Sequence, residues 1–130
     1  MAFNKLTEEE RKVIEEQDTE RPFSGEYDDF YKDGVYVCKK CNNPLYDSKT
    51  KFDAKCGWPA FDDYVKGSVE KFPVMFAPWH EIKCANCMAH LGHVFEGEQL
   101  TDKNIRHCVN SLSIKFIPKG EEMPSVLQED

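Results

Sequence analysis

The chain has 130 residues, with 17 basic and 24 acidic side chains, so its formal net charge at pH 7 is -7. This length predicts a single domain that can bury a hydrophobic core without help from disulfides. The acidic charge argues against a general nucleic-acid-binding protein, which would present a basic face, and against binding to an anionic membrane surface.

The N-terminal segment MAFNKLTEEERKVIEE becomes charged at once and lacks the apolar region of a secretory signal. No apolar stretch approaches the roughly 20 residues of a transmembrane helix. We therefore expect a cytoplasmic protein. In that compartment the six cysteines indicate metal binding or redox chemistry rather than a disulfide scaffold.

Residues 7–17 predict a short helix, because Thr7 can cap the first turn and Glu10 occupies the capping-box position. A turn-rich segment follows as far as Gly34. Short strands are then predicted, each bounded by turn-forming residues on at least one side: VYVC, NPLYDS, PAFDDYV, HEIKC and LGHVFEG. The stretch RHCVNSLSIKFIP predicts one long final strand, and the polar residues after Pro118 predict a loose tail.

Two CxxC motifs, Cys38–Cys41 and Cys84–Cys87, predict a four-cysteine zinc site, because each tight turn directs two thiolates toward one point. A thioredoxin-like redox CxxC is the alternative, but that motif opens a helix within a βαβ unit, which this sequence does not predict. Four thiolates fill the coordination shell of zinc, so we expect a structural and not a catalytic metal ion.

Cys56 and Cys108 remain once the zinc ligands are assigned, and either could be a small core residue. Strand alternation places Arg106, Cys108 and Asn110 on one face of the final strand. That face is predicted to point inward, because it continues as Leu112, Ile114 and Phe116, whereas the other continues as Ser111, Ser113 and Lys115.

The alternation also directs His107 away from Cys108. A neighbouring arginine is expected to lower the pKa of the Cys108 thiol and favour the nucleophilic thiolate. Taken alone, Arg106 could equally form a surface salt bridge.

Cys56 lies in KCGWPAF, where Gly57 indicates a turn and therefore a mobile, partly exposed thiol. Trp58 and Phe61 would bring aromatic surface close to it, with core packing as the alternative for Trp58. The stretch AHLGHVFEG adds His90 and His93, which could donate protons near neutral pH. The alternatives for these histidines are zinc-ligand substitutes or capping residues.

Four segments together, RPFSGEY, KFDAKCGWPAF, CANCMAHLGHVF and RHCVNSLSIKFIP, resemble the B-type methionine sulfoxide reductases, the peptide-methionine (R)-S-oxide reductases. The resemblance implies a mainly β, zinc-ribbon-related domain of two antiparallel sheets, with a zinc site remote from the active site. We expect this domain at residues 21–118, after a helical extension at 1–20 and before a flexible tail at 119–130.

The resemblance implies that Cys108 is the nucleophile and Cys56 the resolving cysteine. Trp58 would hold the substrate methyl group, with Phe61 adding aromatic surface. His90 and His93 would bind or protonate the sulfoxide oxygen. Arg106 and Asn110 would complete the polar side of the site. Two positions depart from the family pattern, because His107 stands where a tyrosine is usual and Glu96 would replace a common aspartate.

The implied activity is reduction of methionine-R-sulfoxide, preferably in peptides or proteins, through a Cys108 sulfenic acid and a Cys56–Cys108 disulfide. Thioredoxin would reduce the disulfide, and a monomer would repair oxidised proteins. Two other functions fit part of the pattern. A zinc-ribbon-like binding module would explain the four zinc cysteines, and a thiol peroxidase or disulfide reductase would use the same two thiols on another oxidant.

Overall fold

The computed structural model describes residues 2–129, which form one α-helix, two antiparallel β-sheets and two short 3-10 turns. In chain order the elements are α1 (Glu8–Glu16), β1 (Gly34–Cys38), β2 (Pro44–Asp47), β3 (Lys51–Phe52), β4 (Ala60–Phe61), β5 (Val69–Pro73), β6 (His80–Cys84), β7 (His90–Glu96), β8 (Ile105–Val109) and β9 (Ile114–Pro118), with the 3-10 turns at Ser48–Thr50 and Ser111–Ser113.

The helix α1 begins at the predicted capping box. The Glu10 backbone N–H donates to the Thr7 hydroxyl at 3.2 Å, and the Thr7 N–H donates to the Glu10 carboxylate at 2.9 Å. The helix buries Val13 and Ile14 and ends at Gln17, which adopts a left-handed conformation. Within residues 2–129 no helix is long and apolar enough to cross a bilayer.

The smaller sheet has the strand order β2-β1-β9, and the larger sheet has the order β3-β4-β8-β7-β6-β5. Aromatic rings fill the core, and the rings of Tyr46 and Phe61 stack at a centroid distance of 4.2 Å. Tyr36 packs edge-on against Phe61 at 5.2 Å. The prediction of a mainly β fold with two antiparallel sheets and a short helix is confirmed.

The prediction of one continuous final strand is wrong. The chain leaves the larger sheet after Val109, makes the 3-10 turn, and enters the smaller sheet as β9. The break is stabilised by Glu20, whose buried carboxylate accepts the Leu112 N–H at 3.0 Å. Alternation therefore cannot be extended past Val109, and Ser111 and Ser113 are buried rather than exposed.

Two further strands were not predicted, and PAFDDYV contributes only β4. β3 has two residues, and β5 lies at the sheet edge with partly exposed side chains, so neither shows a clear apolar alternation.

The C-terminal segment is not loose along its whole length, contrary to expectation. Leu127 is 8% exposed, and its backbone N–H donates to the Cys41 carbonyl at 2.7 Å. The side chains of Asn86 and Asn42 donate to the carbonyls of Leu127 at 2.9 Å and Ser125 at 3.0 Å. Burial of one apolar side chain and these hydrogen bonds hold the segment against both CxxC turns.

Candidate active site and cysteine cluster

A pocket of about 340 Å³ lies over the paired strands β7 and β8. The strand register places His93 opposite Cys108 and Phe95 opposite Arg106. Alternation puts these four side chains on one face of the sheet, and all four line the pocket. The remaining wall comes from other segments, chiefly Cys56, Trp58, Trp79 and Asn110.

The two cysteines outside the CxxC motifs meet in this pocket. The Sγ atoms of Cys56 and Cys108 lie 3.3 Å apart, although 52 positions separate the residues in sequence. Cys108 is 8% exposed, whereas Cys56 is only half-buried. Cys56 sits in a tight turn, since Lys55 and Gly57 on either side have φ angles of 57° and 92°. The two thiols are therefore in contact before any oxidation.

The contact gives the two thiols unequal acidities. The hydrogen bond with Cys108, helped by the positive charge of Arg106, lowers the pKa of Cys56 to about 6. The same hydrogen bond, together with burial, raises the pKa of Cys108. The charge of Arg106 favours the anion on either sulfur, so the pair loses its first proton more readily than a lone thiol. Arg106 does lower the pKa of Cys108, as expected, but the contact with Cys56 and burial outweigh that effect in the reduced pair.

Arg106 is held by a carboxylate that the sequence analysis did not identify. Its Nε and Nη2 atoms donate to the two oxygens of Glu98 at 2.8 and 3.0 Å, and its guanidinium lies 4.1 Å from the Phe95 ring centroid. The Arg106 side chain is 12% exposed, so this pair is not a simple surface salt bridge. Glu96 points elsewhere, is exposed and pairs with Lys71 at 3.0 Å, so Glu98 and not Glu96 contacts Arg106.

The two histidines differ in position. His93 lines the pocket, and burial, with a smaller contribution from His90, lowers its pKa. His90 is 2% exposed and is not part of the pocket wall; its Nδ1 lies 2.6 Å from a Glu81 carboxylate oxygen. The two rings are 5.7 Å apart, and the His90 Nε2 is buried without a partner among the described residues. His93 can thus contact a ligand directly, whereas His90 packs against the His93 ring from outside the pocket wall.

Trp58 and Asn110 lie in the pocket wall. The Trp58 indole N–H donates to the Glu20 carbonyl at 3.0 Å, which fixes the orientation of the ring. The Asn110 side chain accepts the Glu20 N–H at 3.1 Å and donates to the Leu91 carbonyl at 3.1 Å. Most of its hydrogen-bonding capacity therefore serves to position neighbouring backbone.

Two other predictions concern residues on the core side of the sheet. Phe61 is fully buried against Tyr46, so it packs in the core and its predicted contact with substrate is wrong. His107 points away from Cys108, as predicted, and its Nδ1 lies 2.8 Å from the Tyr46 hydroxyl oxygen. Burial lowers the pKa of His107 to about 4, which keeps the ring neutral at pH 7.

The aromatic wall contains two residues that the sequence analysis did not single out. The rings of Trp79 and Phe95 lie 5.6 Å apart, and both line the pocket. Phe95 could have been predicted as a pocket residue, because strand alternation places it on the same face of β7 as His93. Trp79 precedes a strand, and no local pattern predicts that it reaches the pocket.

The four CxxC cysteines converge at a second location. Their Sγ atoms all lie within 4.8 Å of one another, with 3.6 Å between Cys38 and Cys87 and between Cys41 and Cys84. A tetrahedral zinc with Zn–S bonds of about 2.3 Å requires sulfurs about 3.8 Å apart, so the cluster fits such an ion. The Asn43 amide donates to the Cys84 sulfur at 3.6 Å, as an outer hydrogen bond to a metal thiolate would. None of the four cysteines lines the pocket over β7 and β8.

The model of the SelR domain family matches residues 6–118 of this sequence. The chain belongs to this family. It is similar to peptide methionine sulfoxide reductase B5 of Oryza sativa subsp. japonica, at 50% identity over 114 residues, which are 87% of this chain and 84% of that protein. The B5 protein of Arabidopsis thaliana is 47% identical over 116 residues, 87% of this chain and 82% of that protein.

The chloroplastic B2 protein of Arabidopsis thaliana is also 47% identical over 116 residues, covering 88% of this chain but 57% of that protein. These relatives and the family match confirm the resemblance inferred from the motifs.

Replacement of Arg106 should change the acidity of the thiol pair in this SelR-family protein. In Arg106→Gln the anion loses its nearby positive charge, so we expect the pH midpoint of thiol reactivity to rise by about one pH unit. The measurement is the rate of iodoacetamide alkylation of Cys56 and Cys108 against pH, followed by peptide mass spectrometry. Arg11→Gln on the exposed face of α1 is the control, and an equal rise in both variants would contradict the role of Arg106.

Proposed function

We propose that the protein reduces methionine-R-sulfoxide in peptides and proteins to methionine, and so repairs oxidised proteins. The observation that carries the proposal is the 3.3 Å contact between the Cys56 and Cys108 sulfurs in a pocket with aromatic walls. Membership of the SelR family and relatives named peptide methionine sulfoxide reductases support it. The R preference is taken from the motif resemblance.

In the first step the anion of the thiol pair lies on Cys108, whose thiolate attacks the sulfoxide sulfur while Cys56 keeps the shared proton. The sulfoxide oxygen takes up a proton and is transferred to Cys108, which becomes a sulfenic acid as methionine leaves. His93 is the proposed donor to that oxygen, since it lines the pocket on the strand opposite Cys108. Arg106 supports this step because its charge favours the thiolate.

In the second step the Cys56 sulfur attacks the Cys108 sulfenic acid, a disulfide forms and water leaves. The sulfurs must approach from 3.3 Å to about 2.05 Å. The turn around Gly57 and the half-buried state of Cys56 suit a thiol that must move and then be reached by a partner. A dithiol protein of the thioredoxin type then reduces the disulfide by exchange.

The pocket walls suit a thioether group. Trp58, Trp79 and Phe95 offer apolar ring surface to the substrate methyl group, and contacts between aromatic rings and sulfur or methyl groups are favourable. Hydrogen peroxide has no such group to bind, so the aromatic walls favour methionine sulfoxide over hydrogen peroxide as the oxidant.

The four CxxC cysteines are proposed to hold one structural zinc ion. Four thiolates leave no open coordination position, and the cluster lies outside the pocket, so the chemistry rests on protein side chains alone. We also propose a monomeric enzyme in the cytoplasm, where a reducing environment would keep the cysteines available as thiols.

The two thiols should show different defects when replaced. With a peptide that contains methionine sulfoxide and with thioredoxin as reductant, Cys108→Ser should lower kcat/KM at least about 1,000-fold, because no nucleophile is left. Cys56→Ser should still form methionine once and then hold a Cys108 sulfenic acid that dimedone traps. Methionine formation by Cys108→Ser at the wild-type rate would contradict the proposal.

Metal content tests the zinc proposal separately from activity. The purified protein should contain about one zinc per chain, and Cys84→Ser should lose the zinc together with most of its folding stability, since metal binding supplies folding free energy. Cys108→Ser is the matched control and should retain zinc. Folded protein with far less than one zinc per chain by elemental analysis would rule out the proposed ion.

A further inference from the structure

Two exposed phenylalanines stand out among the described residues. Phe23 is 71% exposed and Phe76 is 99% exposed, and Met75 beside Phe76 is 81% exposed. Water contact with large apolar side chains does not stabilise a fold, and grouped exposed apolar residues commonly mark interaction sites.

The backbone at both phenylalanines is also unfavourable. Phe23 has a φ angle of 64° and Phe76 one of 63°, which place bulky side chains in the left-handed region that favours glycine. Each phenylalanine is the third residue of a turn closed by a backbone hydrogen bond, from Ser24 to Arg21 and from Ala77 to Val74, both at 3.2 Å, and the turn holds the ring outside the hydrophobic core.

The two residues lie on different segments that lead to the pocket. The Phe23 N–H donates to the Gly57 carbonyl at 2.7 Å, and the Phe23 ring lies 3.2 Å from where a Cβ on Gly57 would be. Gly57 stands between Cys56 and Trp58, which both line the pocket. Phe76 lies in the loop between β5 and β6, and that loop leads into Trp79, another part of the pocket wall.

The sheet order separates these segments. β4, which follows the Cys56–Trp58 turn, and β6, which follows Trp79, lie on opposite sides of the pair β8-β7. An elongated molecule bound in the pocket between them could therefore touch Phe23 at one end and Phe76 at the other.

We propose that Phe23, Met75 and Phe76 form an apolar rim that binds apolar side chains on either side of a methionine sulfoxide in an unfolded polypeptide segment. The inference rests on the proposed function and specifies its substrate. A folded protein rarely presents apolar side chains on both sides of an exposed methionine, whereas an unfolded segment does. The net charge of -7 further disfavours acidic segments.

The protein that reduces the disulfide is the other possible occupant. It needs to reach only Cys56. The next residue, Gly57, accepts the backbone hydrogen bond of Phe23 and so places Phe23 near Cys56. Phe76 lies three residues before Trp79 in the loop that leads into β6. A rim that extends to both sides of the pocket fits a peptide better than a reductant directed at one thiol.

The test compares substrates in variants that keep the backbone conformation. Asparagine tolerates the left-handed region, so Phe76→Asn and Phe23→Asn remove the ring without forcing the chain to move. Met123→Asn, at an exposed position in the C-terminal segment, is the control. The substrates are N-acetylmethionine sulfoxide amide and two peptides whose methionine sulfoxide is flanked by leucines or by serines, with dithiothreitol as reductant.

We expect kcat/KM for the leucine-flanked peptide to fall about tenfold in Phe76→Asn, the loss for a large part of one buried ring. The small amide and the serine-flanked peptide should change less than about twofold, and the control should match the wild type on every substrate. An equal loss on all substrates, or no loss on any, would overturn the proposal. So would a loss seen only when thioredoxin replaces dithiothreitol, because that result assigns the rim to the reductant.

A binding measurement separates this proposal from the proposed function. Fluorescence anisotropy of labelled leucine-flanked and serine-flanked peptides, with Cys108→Ser protein, needs no turnover. If the wild type reduces none of the substrates, the proposed function fails, yet tighter binding of the leucine-flanked peptide that Phe76→Asn abolishes would still support the rim. Equal binding of both peptides would overturn it.

Discussion

The backbones of β7 and β8 meet so closely at Gly92 that a Cβ on residue 92 would lie 1.9 Å from the Cys108 carbonyl oxygen. This approach fixes the register in which His93 faces Cys108 and Phe95 faces Arg106. Acid–base group, thiol, aromatic surface and positive charge are thereby placed on one face by main-chain hydrogen bonds. A shift of one residue in either strand would move its two pocket side chains to the core side.

The segments that complete the pocket are fixed to this pair of strands by buried polar contacts. Glu20 receives the Leu112 N–H on its carboxylate, donates its own N–H to Asn110 and accepts the Trp58 indole on its carbonyl. The cysteine cluster lies between the two sheets, because Cys38 ends β1 of the smaller sheet and Cys84 ends β6 of the larger sheet. A metal ion held there would join the two sheets and leave the pocket free for chemistry.

Features that depend on neighbouring residues could be predicted from the sequence. The paired CxxC spacing predicted the convergence of four thiols, and strand alternation correctly directed His107 away from Cys108. Features that depend on distant segments could not. The strand breaks after Val109, the Glu20 carboxylate stabilises the break through its hydrogen bond from Leu112, and no pattern in RHCVNSLSIKFIP indicates that partner.

Loop and turn geometry accounts for most of the remaining differences between the predicted site and the structure. Gly97 has a φ angle of 87°, and the chain after it turns so that Glu98, and not Glu96, reaches Arg106. Phe61 follows the CGWP turn closely in sequence, but strand β4 directs it into the core. The acidities of Cys56 and Cys108 follow from a contact between segments, so they become visible only in three dimensions.

The most direct test of the central claim is a single turnover without reductant. Fully reduced protein is mixed with excess methionine sulfoxide peptide, methionine is counted per chain, and disulfides are mapped by mass spectrometry. The account predicts one methionine per chain and one new disulfide between Cys56 and Cys108, with the four CxxC cysteines unchanged. Methionine formed while Cys56 and Cys108 both remain thiols, or a disulfide that involves a CxxC cysteine instead, would contradict it.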